Sequence, residues 1–103
     1  MTAEQTLAGR AAAGAAMLDS SSPGWAQRAD PGRLWMDNTW QCVLGQLYGG
    51  YHGGCNELGL DSAQAIILGF TLPPGSDPGT WMMLEAAWVT EIRGRREQAR
   101  VTR

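Results

Sequence analysis

The sequence contains no lysine, one histidine and only two cysteines among its 103 residues. Without lysine there is no phosphate-binding loop of the Gly-x-x-x-x-Gly-Lys-Ser/Thr type, in spite of 14 glycines. No apolar run reaches the length of about 18 residues that a membrane-spanning helix needs. Glu4 and Arg10 interrupt the segment in which a secretory signal would lie. We therefore expect a cytoplasmic protein with reduced thiols and no membrane contact.

Apolar and aromatic residues are plentiful enough for one compact core. Hydrophobic residues make up 44% of the chain and five of them are tryptophans, which argues against disorder. A chain of this length forms a single domain with one modest core. Because each buried indole removes a large area from water, we expect the core to be dominated by Trp25, Trp35, Trp40, Trp81 and Trp88.

The helical pattern is clearest at the C-terminal end. Asp77 and Pro78 are typical of a helix start, with an N-cap followed by a proline at the first helical position. The apolar side chains that follow are spaced by three and four residues: Trp81, Leu84, Trp88 and Ile92. Beyond Ile92 the pattern becomes polar and basic, and we expect residues 93–103 to form a frayed tail.

Shorter helices are predicted before it. Residues 1–22 indicate an N-terminal helix docked on the body, and its first residues, Thr2 and Gln5, are typical of a capping box. Residues 25–37 predict an irregular connector. Trp40, Val43, Leu44 and Leu47 then follow helical spacing and predict a helix broken by Gly49-Gly50. Further short helices are predicted over 51–58 and 62–68, with a buried strand as the alternative for the second. The fold class is mostly α: a small single-domain helical fold with glycine-broken central helices and a long C-terminal helix.

One cluster of residue types could carry chemistry. Cys42, His52 and Cys55 include the ligand types of a zinc site, and a thiol beside an imidazole is also the arrangement of a cysteine nucleophile. A structural zinc site needs a fourth ligand, which Glu57 or Asp61 would have to supply, and a Cys-x-x-Cys pair is absent. We therefore predict no enzyme activity and no cofactor, and we keep the metal or thiol site as a third hypothesis.

Two surfaces compete as binding sites. Trp81, Met82 and Met83 are consecutive on a helix and cannot all face the core, so an exposed methionine is expected. Methionine and arginine are enriched in protein interfaces, which favours an interface formed by Met82, Met83, Arg93 and Arg96. From residue 91 onward five arginines oppose two glutamates, a net charge of +3 on an otherwise acidic chain. The alternative is nucleic-acid binding by the C-terminal arginines, Arg93, Arg95, Arg96, Arg100 and Arg103. A solvated helix end is the third explanation of this charge.

Several short motifs follow one another along the chain: Pro23-Gly24-Trp25, Arg28-x-Asp30, Cys42-Val43-Leu44-Gly45-Gln46-Leu47-Tyr48-Gly49, Tyr51, Leu58-Gly59-Leu60, Gly69-Phe70 and the helical series Leu84, Trp88 and Ile92. In this order they resemble a family of small uncharacterised proteins of actinobacteria and their phages. His52 and Cys55 depart from the pattern, which counts against the metal site. Gln46 matches it, and we expect its amide to hydrogen-bond the backbone of the connector.

The resemblance implies context and no established activity. Together with the residues above, it favours a non-enzymatic, phage-encoded accessory protein that binds and modulates a host protein or a copy of itself. Oligomer formation is compatible with this hypothesis.

Overall fold

The computed structural model describes residues 6–101, and in these residues the chain is helical with no strand. The six helices are α1 Leu7–Ser21, α2 Trp25–Arg28, α3 Val43–Tyr48, α4 Tyr51–Leu58, α5 Ser62–Ile67 and α6 Pro78–Val101. The predicted fold class is confirmed, including the long C-terminal helix. The competing strand prediction for the α5 region is wrong.

Helix α1 packs along α6 through a face of small side chains. Thr6 is its N-cap and accepts a hydrogen bond from the Gly9 amide at 2.8 Å, whereas the capping box predicted at residues 2 and 5 lies outside the described residues. Ala11, Gly14 and Ala15 are fully buried. Because these side chains are small, the two helix backbones come close enough for the Trp88 ring to lie against Gly14.

Three aromatic rings form the centre of the core. Trp88 meets Trp25 edge to face, with ring centroids 5.8 Å apart, and stacks on Phe70 at 5.4 Å. The Trp88 indole donates a 2.6 Å hydrogen bond to the Gly69 carbonyl, so its one polar group is satisfied inside the core. Trp25 and Trp88 are buried as predicted, but Trp35 and Trp40 are 56% and 65% exposed. The expectation that all five tryptophans dominate the core is wrong for these two.

The segment before α3 explains the position of Trp40. The Asn38 carboxamide accepts hydrogen bonds from the backbone amides of Trp40 and Gln41, at 2.8 and 2.9 Å, and closes a turn there. These bonds have the pattern of an N-cap, and with the Cys42 amide donating to the Asn38 carbonyl at 3.1 Å they form one separate turn over residues 39–41. The continuous helix begins at Val43, after Cys42 as its N-cap. The predicted start at Trp40 is too early, and the indole points to solvent.

Glycines allow α3 and α4 to pack as a pair, as predicted for the central region. Gly49 ends α3 in the left-handed conformation, with φ of 79°. Gly54 of α4 lies against the Leu44 side chain, where an added Cβ would come within 2.8 Å of it. The pair presents Val43, Leu44 and Cys55 to the core.

Helix α6 begins as the sequence predicts but continues further. Asp77 accepts a 2.7 Å hydrogen bond from the Thr80 amide, which lowers the pKa of its carboxyl. Residues 93–101, expected to be frayed, are helical up to Val101. None of the helices in the described part of the chain is long and apolar enough to cross a membrane.

Candidate functional site

Arg95 joins the two long helices. Its guanidinium donates to both carboxylate oxygens of Asp19 at 2.8 and 2.9 Å and to Glu91 at 2.7 Å, and it lies 5.5 Å from the centre of the Trp25 ring. The hydrogen bond from Arg95 lowers the pKa of Asp19, and the same contact raises the pKa of Arg95. Asp19 also accepts the Trp25 indole N–H at 2.9 Å. This guanidinium therefore has its partners within the fold.

Arg96 holds α2 against α6. It donates to the backbone carbonyls of Ala26 at 2.8 Å and Ala29 at 2.6 Å, with a longer contact of 3.4 Å to that of Gln27. These carbonyls belong to the last turn of α2, where no following helical residue supplies an N–H. Arg96 thus caps α2 from a distant part of the chain. It was predicted as an interface residue, but its donors are directed into the protein.

Replacing Arg96 with alanine should destabilise the protein by about 1–3 kcal/mol, because buried carbonyl groups of α2 lose their donor. Chemical denaturation with urea measures the change. Arg93→Ala is the matched control, since it removes the same charge from an exposed position of the same helix and should change stability by less than about 0.5 kcal/mol. Equal effects of the two variants would contradict the capping role of Arg96.

The remaining arginines differ in their surroundings. Arg93 is exposed and has no ion-pair partner among residues 6–101. Arg100 lies 3.8 Å from Glu97, and both side chains are largely exposed, so this pair contributes little. Arg103 lies outside the described residues. Of the five arginines in the nucleic-acid hypothesis, Arg95 and Arg96 are thus used by the fold itself.

Met82 and Met83 are both at the surface, 69% and 64% exposed. Being adjacent in a helix, they point about 100° apart around its axis. Met83 lines a groove of about 550 Å³ between the start of α1 and the middle of α6. The other residues of this groove are small or apolar, apart from two threonines: Thr6, Leu7, Ala8, Ala86, Ala87 and Thr90. We call it the α1/α6 groove.

Both cysteine side chains are buried, and the sulfur of Cys42 takes part in the hydrogen bonding of the fold. Cys42 is the N-cap of α3, and its sulfur accepts a hydrogen bond from the Gly45 amide at 3.3 Å. Its thiol donates to the Thr39 carbonyl at 3.8 Å. Burial raises the pKa of the Cys42 thiol, so it is protonated at neutral pH and is a poor nucleophile. Cys55 is also buried, whereas His52 is exposed and packs edge to face with the Tyr51 ring.

The metal site of the third hypothesis has no matching arrangement in the described part of the chain. Within residues 6–101, no three His, Cys, Asp or Glu side chains come together in a way that could hold a metal ion. Tyr51 lies beside Cys55, and burial, followed by the contact with that thiol, raises the pKa of Tyr51 to about 12. A phenol with so high a pKa is protonated at neutral pH and does not act as a general base.

Gln46 has the role predicted for it. Its amide oxygen accepts the Asp30 N–H at 2.6 Å, and its amide nitrogen donates to the carbonyls of Asp30 and Gln41 at 3.3 and 3.1 Å. Gln46 also lines a surface hollow of about 340 Å³, together with residues that include Arg28, Arg33 and Trp40. Sequence reasoning missed this hollow, because its residues are far apart in the chain and Trp40 was assigned to the core.

Comparison of the chain with protein-family models, curated proteins and solved structures gives no match. The resemblance to small actinobacterial and phage proteins stays a prediction.

Proposed function

We propose that this chain is a non-enzymatic accessory protein that binds another protein through the Met82 and Met83 face of α6. The observation that carries the proposal is the exposure of both methionines, 69% and 64%, beside the α1/α6 groove. Methionine is flexible and polarisable, and exposed methionines are typical of adaptable binding surfaces. In the phage context implied by the sequence resemblance, the partner is a host protein whose activity is modulated, or a second copy of this chain.

The chemistry of the surface favours an apolar partner segment. No charged residue of the described range lines the groove, and α6 contributes Met83, Ala86 and Ala87 to it. An amphipathic helix placed in such a groove buries apolar side chains spaced by three and four residues. Arg93 is exposed on the same helix, three residues beyond Thr90 of the groove, and a cation near an interface affects the association rate more than the affinity.

Replacing Met82 or Met83 with aspartate should weaken partner binding by at least about 30-fold, if either side chain is a hot spot of the interface. Tagged protein is first used to capture partners from an actinobacterial lysate at two salt concentrations. The affinity of the purified partner for wild-type and variant protein is then measured by calorimetry. Sedimentation velocity of the isolated chain tests self-association in the same way.

Ile67→Asp is the matched control, because it places the same charge on another exposed apolar side chain, in α5. It should leave binding unchanged. Partner binding that tolerates both methionine substitutions would refute the proposed surface. Capture of nucleic acid alone, with its loss at the higher salt concentration, would refute a protein partner.

A further inference from the structure

The hollow beside Gln46 combines an exposed aromatic ring with two cations. Its lining includes Trp40, which is 65% exposed, together with the exposed side chains of Arg28 and Arg33. Asp30 is the one acidic residue in the lining. The hollow shares no residue with the Met82 and Met83 surface, so it is independent of the function proposed above.

The backbone around this hollow is held in place by several hydrogen bonds. The side-chain amide of Gln46 forms hydrogen bonds with the backbone of Asp30 and Gln41. The Trp35 backbone N–H donates to the Gln41 carbonyl at 3.2 Å. Asn38 fixes the backbone at Trp40, as described above. The Trp40 ring lies against Gly50, where an added Cβ would be 3.1 Å from the ring. The backbone that carries the indole is thus fixed, and the ring packs near Gly50 while 65% of the residue stays exposed.

The two guanidiniums keep their charge available. Arg28 donates to the neutral Ser22 hydroxyl at 2.6 Å, and neither Arg28 nor Arg33 forms an ion pair within residues 6–101. Asp30 accepts the Gly32 amide at 2.9 Å, so its carboxylate is engaged with the loop backbone. The hollow thus carries a local excess of positive charge on a chain with a net charge of −2.

We propose that this hollow binds single-stranded nucleic acid, with one base stacked on Trp40 and adjacent phosphates bound by Arg28 and Arg33. Proteins that bind single strands combine aromatic rings, which stack on bases of any sequence, with cations that follow the phosphates. A duplex keeps its bases stacked on each other and offers none to the indole. An acidic peptide would match the two arginines but would leave the tryptophan unused.

Fluorescence anisotropy with a labelled oligothymidylate of about ten nucleotides tests the proposal. Trp40→Ala should weaken binding by about 5- to 150-fold, the effect of losing one base stack. Trp35→Ala, which removes an exposed indole of the same loop outside the hollow, should leave the affinity unchanged. Thermal unfolding of each variant confirms that it is folded.

The arginines are tested through the salt dependence. Each phosphate contact with a single strand contributes about 0.7 to the slope of log K against log salt concentration, so Arg33→Ala should reduce the slope by about that amount. Arg93→Ala is the control of equal charge, and its slope should match that of the wild type. Arg33 is exposed and forms no ion pair with any residue of the described range 6–101, so this variant tests the site even if Trp40→Ala destabilises the loop.

Four results would overturn the proposal. One is the absence of oligothymidylate binding at about 50 mM salt, where phosphate contacts are strong. Another is equal affinity for a duplex of the same length, or displacement of the strand by polyglutamate as effectively as by unlabelled strand. In the last, Arg93→Ala and Arg100→Ala abolish binding, whereas Trp40→Ala and Arg33→Ala have no effect. That outcome would assign binding to the end of α6.

Discussion

Replacement of Trp88 with alanine is expected to lower the free energy of unfolding by about 3–5 kcal/mol. The side chain is fully buried and contacts both other aromatic rings of the core, Trp25 and Phe70. Its removal leaves a cavity and also deprives the Gly69 carbonyl of its indole donor. For a domain whose total stability is of the order of 5–15 kcal/mol, this is a large part of the whole.

Urea denaturation followed by far-ultraviolet circular dichroism measures this loss, and α6, with 24 residues, is the longest of the helices that contribute to the signal. Trp35→Ala is the matched control, since the same side chain is removed from an exposed position and the change should stay within about 0.5 kcal/mol. Trp88→Phe keeps an aromatic ring but removes the hydrogen bond to Gly69, and we expect an intermediate loss. A destabilisation by Trp88→Ala no larger than that of Trp35→Ala would show that the core is centred elsewhere.

The position of Trp88 could be predicted from the sequence, whereas that of Trp40 could not. Trp88 belongs to a periodic series that extends over three helical turns, from Trp81 to Ile92, so one face of the helix was well determined. Trp40 also follows the spacing of a helical face, with Val43, Leu44 and Leu47. Periodicity counts apolar positions and does not show that Asn38 caps a single turn of its own, which ends before α3 begins at Val43.

The roles of the arginines needed the tertiary structure. Arg95 is separated from Asp19 by 76 residues and Arg96 from its three carbonyl partners by 67 to 70, and no local pattern indicates these contacts. The sequence predicted correctly that Met82 and Met83 are not both buried, because that follows from helix geometry alone. It also predicted that the Gln46 amide binds the connector. The hollow around Trp40 could not be found, since residues 28, 33, 40 and 46 meet only after the chain has folded.

Replacement of Gly14 with alanine should destabilise the protein, although the same change stabilises most helices. Gly14 lies in the interior of α1, where alanine is favoured over glycine by about 1 kcal/mol. An added Cβ at this position would overlap the Leu68 carbonyl oxygen and come within 3.0 Å of the Trp88 ring. The ring is itself fixed by the Gly69 hydrogen bond, so neither neighbour can move freely. We expect a net loss of about 1–3 kcal/mol, typical of an overpacked core.

Gly94→Ala separates the packing effect from helix propensity. Gly94 lies in the interior of α6, and no atom lies within 4 Å of the position that its Cβ would occupy. This variant should therefore gain up to about 1 kcal/mol, opposite in sign to Gly14→Ala. Thermal and urea denaturation of both variants measure the difference. Stabilisation by both substitutions would mean that α1 lies further from Trp88 and from the loop after α5 than this structure places it. A loss of stability for Gly14→Ala with a gain for Gly94→Ala would show that α1 approaches α6 this closely only because Gly14 has no side chain.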